Sequence, residues 1–156
     1  MTKLTVLSFG GGVQSTVLAL MASKREIERP DVVIFADTGN ETQATYHHIW
    51  RVFEALVEAG IHCEIVSAGN IADDVLYAAG ENGVRVGRIG QPPFYVNGKA
   101  LETGKLWRKC SSEYKIKPQE KRVRELLGVP PGKKVPKEYA VEKWMGITVD
   151  EASRMK

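Results

Sequence analysis

One stretch near the start of the chain decides the fold: LTVLSFGGGVQSTVLAL, residues 4–20. Its first six residues form an apolar, partly β-branched run that is typical of a buried strand. Gly10, Gly11 and Gly12 follow directly. Apolar residues then recur at helical spacing, which predicts a helix over residues 13–24. A strand, a glycine turn and a helix therefore follow one another within a short length of chain.

The glycine turn indicates an anion site. Glycine has no Cβ, so the backbone there can approach another molecule closely. The helix that follows directs its unpaired N–H groups at the same place, and Ser15 and Thr16 add hydroxyls. A Walker loop would need a lysine here, and a dinucleotide fingerprint would need a third glycine where Ser15 stands. Phosphate binding and a purely structural glycine turn both stay open from these residues.

The following residues repeat the alternation of strand and helix. Strands are predicted at residues 31–37 and 63–67, a helix capped by Asn40 runs to about residue 59, and another covers residues 71–79. This order is typical of a Rossmann-like, doubly wound parallel sheet. If the first two strands are neighbours, the glycine turn and Asp37-Thr38-Gly39 share a crevice at the carboxyl ends of the strands.

Asp37 has two interpretations. Its carboxylate could accept a hydrogen bond from a ribose hydroxyl or an adenine amine in that crevice. It could equally bond only to nearby backbone in the turn after the strand.

The remainder of the chain is less regular. Residues 80–106 form an irregular, basic insertion, with a hairpin turn predicted at Asn97-Gly98. A charged helix is expected at residues 118–127, a fourth buried strand at 139–148 and a short helix at 150–154.

Composition limits the class of protein. A chain of 156 residues is expected to form a single domain, residues 1–156, and it holds no apolar run long enough to span a membrane. Met1 leads almost directly into the first strand, so no signal peptide is expected, and two cysteines favour a reducing, cytoplasmic setting. The net charge of +3 is concentrated at residues 85–137, either as a solvated face or as a surface for polyphosphate or nucleic acid. No Cys/His cluster has zinc spacing, so no structural metal is predicted.

The order of these motifs resembles the PP-loop, or adenine nucleotide alpha-hydrolase, superfamily. Its pattern Ser-Gly-Gly-x-Asp-Ser corresponds to GGGVQS at residues 10–15, where Gly10 replaces the serine and Gln14 the aspartate. The turn Asp37-Thr38-Gly39 resembles the one after the second strand in phosphoadenylylsulfate (PAPS) reductases and their relatives.

Two later segments resemble the same branch. RKCSSEYKIKP, residues 108–118, is similar to Arg-x-Cys-Thr-x-x-x-Lys-x-x-Pro, with Arg108, Cys110 and Lys115 on the marked positions. Residues 146–154 are similar to Gly-Ile-x-x-Asp-Glu-x-x-Arg, with Gly146 and Arg154 at its ends. The chain as a whole resembles the small PAPS reductase-like proteins found in bacteriophages and mobile elements.

The resemblance implies that the chain binds ATP or a related adenylyl nucleotide, with Mg²⁺. The implied chemistry is attack at the α-phosphate, which releases pyrophosphate and leaves an adenylylated acceptor. The implied catalytic residues are Ser15, Asp37, Arg108 and Lys115. The implied nucleotide-binding residues are Ser8, Gly10, Gly11, Gly12, Gln14, Ser15, Thr16, Asp37, Thr38, Gly39, Cys110, Gly146 and Arg154.

The sequence also departs from this branch. Reductases proper carry a C-terminal cysteine that attacks the sulfonyl group, and no cysteine follows Cys110 here. Reduction of PAPS is therefore not expected, unless Cys110 takes that role or the chain is a fragment that lacks a C-terminal extension. Cys110 is either a nucleophile activated by nearby cations or a small packed hydrophobe. Two other functions stay open: a non-catalytic nucleotide-binding module that acts through a protein or nucleic-acid partner, and an NAD-dependent oxidoreductase. The acceptor substrate and a homodimeric state are not determined by the sequence.

Overall fold

The structure is a computed structural model that describes residues 2–76, 95–98, 101–105 and 110–148. Its strands are β1 (Thr2–Phe9), β2 (Val32–Asp37), β3 (His62–Ser67), β4 (Tyr95–Gly98), β5 (Leu101–Lys105) and β6 (Tyr139–Met145). Its helices are α1 (Val13–Ser23), α2 (Gln43–Glu58), α3 (Ile71–Leu76) and α4 (Lys117–Leu126), the last preceded by a π-helical segment, Ser111–Ile116.

A four-stranded parallel sheet organises the described residues. Its strand order is β3-β2-β1-β6, while β4 and β5 form a separate antiparallel pair. The α/β fold class and the pairing of the first two strands are therefore confirmed. The chain moves from β1 to one side through β2 and β3, and β6 pairs with the other side of β1. The strand order thus reverses between β1 and β6, where ligands bind in open sheets of this kind.

The core lies on both faces of the sheet. On one face α1 and α2 cover Phe9 and Phe35, and the ring of Phe9 also lies 5.8 Å from that of Phe53 between centroids. On the other face, Val6 and Ile34 are buried beneath Val123 of α4. This two-sided burial explains why β2 is a nearly continuous apolar run.

Three sequence predictions about elements are wrong. Helix α2 is capped by Thr42, which accepts from the N–H of Thr45, because Asn40 belongs to the turn after β2. Gly98 pairs with Leu101, so the predicted turn residues Asn97-Gly98 lie inside β4. β6 is an edge strand of the described sheet, which leaves Val141 41% exposed. The end of the predicted third helix, residues 77–79, and the predicted helix at 150–154 lie outside the described residues.

An ion pair between Arg122 and Glu64 connects α4 to β3. The guanidinium of Arg122 donates from Nε to Glu64 Oε2 at 2.5 Å and from Nη2 to Glu64 Oε1 at 2.8 Å. The Glu64 side chain is only 14% exposed. These hydrogen bonds from Arg122, assisted by His62, lower the pKa of Glu64 to about 2.

This ion pair predicts a specific acid dependence of stability. Because the pKa of Glu64 is lowered by folding, its contribution is fully present above pH 4.5 and is lost as the pH falls toward 2. We expect Glu64→Gln to lower the free energy of unfolding at pH 7 by about 1–2 kcal/mol and to flatten the acid dependence. Urea denaturation at pH 7, 4.5 and 3 measures both effects. The matched control is Glu58→Gln, an exposed glutamate; equal acid dependence in both variants would contradict the assignment.

Candidate functional site

The glycine turn joins β1 to α1 in a conformation that needs glycine. Gly11 has φ +71°, a left-handed value that L side chains rarely adopt. Gly12 is the N-cap residue of α1, and no side chain caps that end of the helix. The N–H groups of the first turn of α1 are therefore available to a ligand.

The Ser15 side chain stabilises this turn through hydrogen bonds to its backbone. Its side chain is buried, its hydroxyl donates to the carbonyl oxygen of Gly12 at 3.1 Å, and its oxygen accepts from the N–H of Gly10 at 3.3 Å. Because the single hydroxyl proton is committed to Gly12, Ser15 fixes the shape of the turn as observed.

Gly146, just after β6, packs directly against the start of α1. A Cβ built on Gly146 would lie 2.4 Å from the backbone nitrogen of Ser15 and 2.6 Å from the carbonyl carbon of Gln14. No side chain fits this contact, so glycine is required here for steric reasons. The end of β6 thereby forms one side of the site.

A cavity of about 280 Å³ lies between the glycine turn, the end of β6 and α4. Its walls include the apolar side chains of Phe9, Phe35, Ala36, Met145 and Ile147, and its polar lining is Ser8, Gly10, Gly12, Gln14, Ser15, Lys115, Gln119 and Gly146. Lys115 is the one charged side chain among the described residues of this lining. The cavity lies at the reversal point between β1 and β6.

The π-helical segment sets the position of Lys115. The N–H of Lys117 bonds to the carbonyl of Ser112, five residues back, and Pro118 follows without an N–H to donate. Tyr114 is fully buried in this segment and its hydroxyl donates to Asp74 of α3. The neighbouring Lys115 lines the cavity, and its Nζ lies 3.7 Å from Glu41 Oε1.

Asp37 lies at the end of β2, beside the cavity but not in its lining. Its Oδ1 accepts from the N–H of Gly39 and from the hydroxyl of Tyr46, each at 2.8 Å. Partial burial and the bond to Asp37 raise the pKa of Tyr46. Oδ2 of Asp37 has no hydrogen-bond partner among the described residues. Oδ1 therefore stabilises the turn, and Oδ2 is available to a ligand.

Thr38 and Gly39 shape the same turn. The buried Thr38 donates to Glu41 Oε1 at 3.1 Å. Gly39 has φ +73°, and a Cβ there would lie 2.9 Å from Asn70 Cα. Both residues hold the turn that positions Asp37.

The structure separates the predicted site residues into three groups. Those that line the cavity are Ser8, Gly10, Gly12, Gln14, Ser15, Lys115 and Gly146. Those described elsewhere are Gly11, Thr16, Asp37, Thr38, Gly39 and Cys110. Arg108 and Arg154 lie outside the described residues. Thr16 points away from the cavity, because its hydroxyl is 2.9 Å from His48 Nε2 on α2.

Sequence reasoning missed Gln119. This side chain is 5% exposed, lines the cavity from α4 and accepts at Oε1 from the hydroxyl of Ser8 at 2.7 Å. Its position one helical turn after Lys115 is the only sequence signal that could have indicated it.

The described residues hold neither a metal-binding cluster nor a helix suited to crossing a membrane. They contain no group of three or more His, Cys, Asp or Glu side chains arranged to hold a metal ion. None of the helices among them has the length and apolar character that crossing a membrane requires.

A parallel sheet with a glycine turn and a helix N-terminus at its reversal point defines an α/β nucleotide-binding fold. Comparison with protein families matches residues 4–82, just over half of the chain, to the family described as the phosphoadenosine phosphosulfate reductase domain. The chain belongs to this family, one of the PP-loop nucleotide-binding families. No curated protein and no solved structure matches the chain.

The matched region includes the glycine turn and the Asp37 turn. It ends before Lys115 and Gly146, whose roles in a nucleotide site stay predictions.

Proposed function

We propose that the chain binds ATP or a related adenylyl nucleotide in the cavity between the glycine turn, β6 and α4. The observation that carries this proposal is the convergence on one cavity of the uncapped N-terminus of α1 and the ammonium of Lys115. Both attract negative charge, and phosphate is the anion that such an arrangement suits best. Membership of a family whose description names an adenine nucleotide supports the same ligand.

Each part of the nucleotide has a proposed partner. The phosphates lie against the N–H groups of the first turn of α1 and against Lys115. Oδ2 of Asp37 is available for a ribose hydroxyl or for a nucleotide-bound Mg²⁺, which typically takes one or two carboxylates together with phosphate oxygens. Such an ion would supply positive charge to the phosphates.

The proposed reaction is attack by an acceptor at the α-phosphate. A bond forms between the acceptor and the α-phosphorus, and the bond to the pyrophosphate leaving group breaks. The residues of this chain would position the phosphates and stabilise the charge that develops on them, through backbone N–H groups and Lys115. The acceptor in this proposal is a separate molecule, not a side chain of this protein.

A second function is favoured by one observation. The described residues that line the cavity include no aspartate, glutamate or histidine, and therefore no ordinary general base. A nucleotide-binding module that acts through a partner, without turnover, fits such a lining. Product analysis separates the two functions, because only the enzyme releases pyrophosphate from ATP when the acceptor is supplied.

Thermal unfolding in the presence of nucleotides tests the proposal. A ligand at 100 times its dissociation constant adds about 2.7 kcal/mol to the free energy of unfolding, or about 5–10 °C in Tm for a chain of this size. We expect this rise with ATP, AMP or PAPS, measured with and without Mg²⁺, and no rise with NAD. No rise with any adenylyl nucleotide, or an equal rise with NAD, would contradict the proposal.

A further inference from the structure

Gln119 is a buried amide that uses one of its four hydrogen-bonding positions within the described residues. Its side chain is 5% exposed and contributes to the cavity lining. Oε1 accepts from Ser8 at 2.7 Å, whereas Nε2 has no hydrogen-bond partner among the described residues. Nε2 is not one of the fully buried unpaired atoms of the described residues, so this donor is open to water or to a ligand that displaces the water.

The surroundings of Gln119 indicate which part of a ligand lies there. The amide is neutral, and the cavity lining also includes Phe35 and Ala36 of β2, which carry no charge. Charged phosphates have better partners one helical turn away at Lys115 and at the start of α1. The neutral amide therefore suits the neutral part of a nucleotide, its base.

Building on the proposed function, we propose that Gln119, held in place by Ser8, recognises the adenine base. Adenine presents a donor, its N6 amino group, next to a ring-nitrogen acceptor. The amide of Gln119 offers the complementary pair, because Oε1 keeps one lone pair after accepting from Ser8 and Nε2 keeps both of its protons. Glutamine pairing with adenine through both groups is a recurrent mode of base recognition.

The same geometry predicts how the preference can be changed. Guanine reverses this order at the same positions, with the acceptor O6 and the donor N1–H, and it also presents two adjacent donors, N1–H and the N2 amino group. A carboxylate at position 119 accepts from both of them, and it still accepts from Ser8. It cannot donate to the ring nitrogen of adenine.

The experiment is calorimetric titration of the whole chain with ATP and with GTP. We expect Gln119→Glu to bind ATP at least tenfold more weakly than the native chain, with its ATP-to-GTP affinity ratio lowered at least tenfold. Gln119→Met, which keeps the length without either polar group, is expected to lose ATP affinity about tenfold. The matched control is Glu120→Gln, an exposed neighbour on the same helix that does not line this cavity; it should keep the native ratio.

The outcomes separate this inference from the proposed function. Native binding of ATP with an unchanged affinity ratio in both Gln119 variants would overturn base recognition and leave nucleotide binding intact. Absence of ATP binding by the native chain would overturn both. Circular dichroism and melting of the unliganded variants establish folding, and if Gln119→Glu does not fold, Gln119→Met decides: native ATP affinity in that variant overturns the inference.

Discussion

Gly146→Ala is expected to lower the free energy of unfolding by about 3 kcal/mol, the upper part of the usual range for overpacking. The added Cβ would lie 2.4 Å from the backbone nitrogen of Ser15, a distance at which one of the two segments must move. The obstacle is backbone, so no side-chain rotation relieves the clash. Movement of either segment displaces the first turn of α1 from the end of β6, so nucleotide affinity is expected to fall as well.

Gly10→Ala provides the matched control. Gly10 also lines the cavity, but a Cβ there would have no atom within 4 Å and its φ is not positive. We expect a change in stability within about 0.5 kcal/mol. Urea denaturation of the two variants measures the difference. Equal stabilities would show that the contact between Gly146 and α1 is looser than the structure indicates.

The glycine turn was predictable because its determinants are local. An apolar run, three glycines and a helical pattern follow one another in the sequence, and the turn at Asp37 follows the next strand in the same way. These short-range signals place the glycine turn and Asp37 at the ends of neighbouring parallel strands, as observed. The sequence did not predict which hydroxyl of the first turn faces the cavity. Ser15 and Thr16 point in directions about 100° apart around the helix, and either could face it. The contact of Thr16 with His48 on α2 settles its direction.

Features that depend on distant parts of the chain could not be predicted. Gly146 meets Ser15 only because β6 pairs with β1 in the register that sets Met145 beside Ser8. The sequence indicates a strand there but not which edge of the sheet it joins. The same pairing puts the reversal point on the β6 side of β1, whereas the sequence predicted a crevice between the first two strands.

Gln119 was missed for a related reason. A glutamine in a charged helix usually faces solvent, and the sequence around it is strongly polar. Its burial follows from the packing of α4 on the sheet and from the bond to Ser8, 111 residues earlier in the chain. Neither contact produces a periodic pattern in the sequence. The proximity of the Ser8 and Gln119 side chains is therefore visible only in the folded structure.

Lys115→Gln is expected to weaken nucleotide binding about 10- to 100-fold, since a hydrogen bond to a charged group is worth about 1.5–3 kcal/mol. Stability should change by less than about 1 kcal/mol, because the pair with Glu41 is 3.7 Å long and the lysine side chain is 47% exposed. Calorimetric titration with ATP at low and high salt measures the effect. The native affinity should fall with added salt more steeply than that of the variant.

Lys117→Gln tests whether the position of the charge matters or only its sign. Lys117 lies two residues further along, pairs with Glu113 at 2.5 Å and does not line the cavity. We expect this variant to keep ATP affinity within about threefold, because a solvated charge outside the cavity is largely screened. If both variants lost affinity equally, the attraction would come from the general positive charge of this region, and the proposed contact between Lys115 and the phosphates would be wrong. Unequal losses would locate the phosphates at the cavity, since the two changes remove the same charge from one continuous helix.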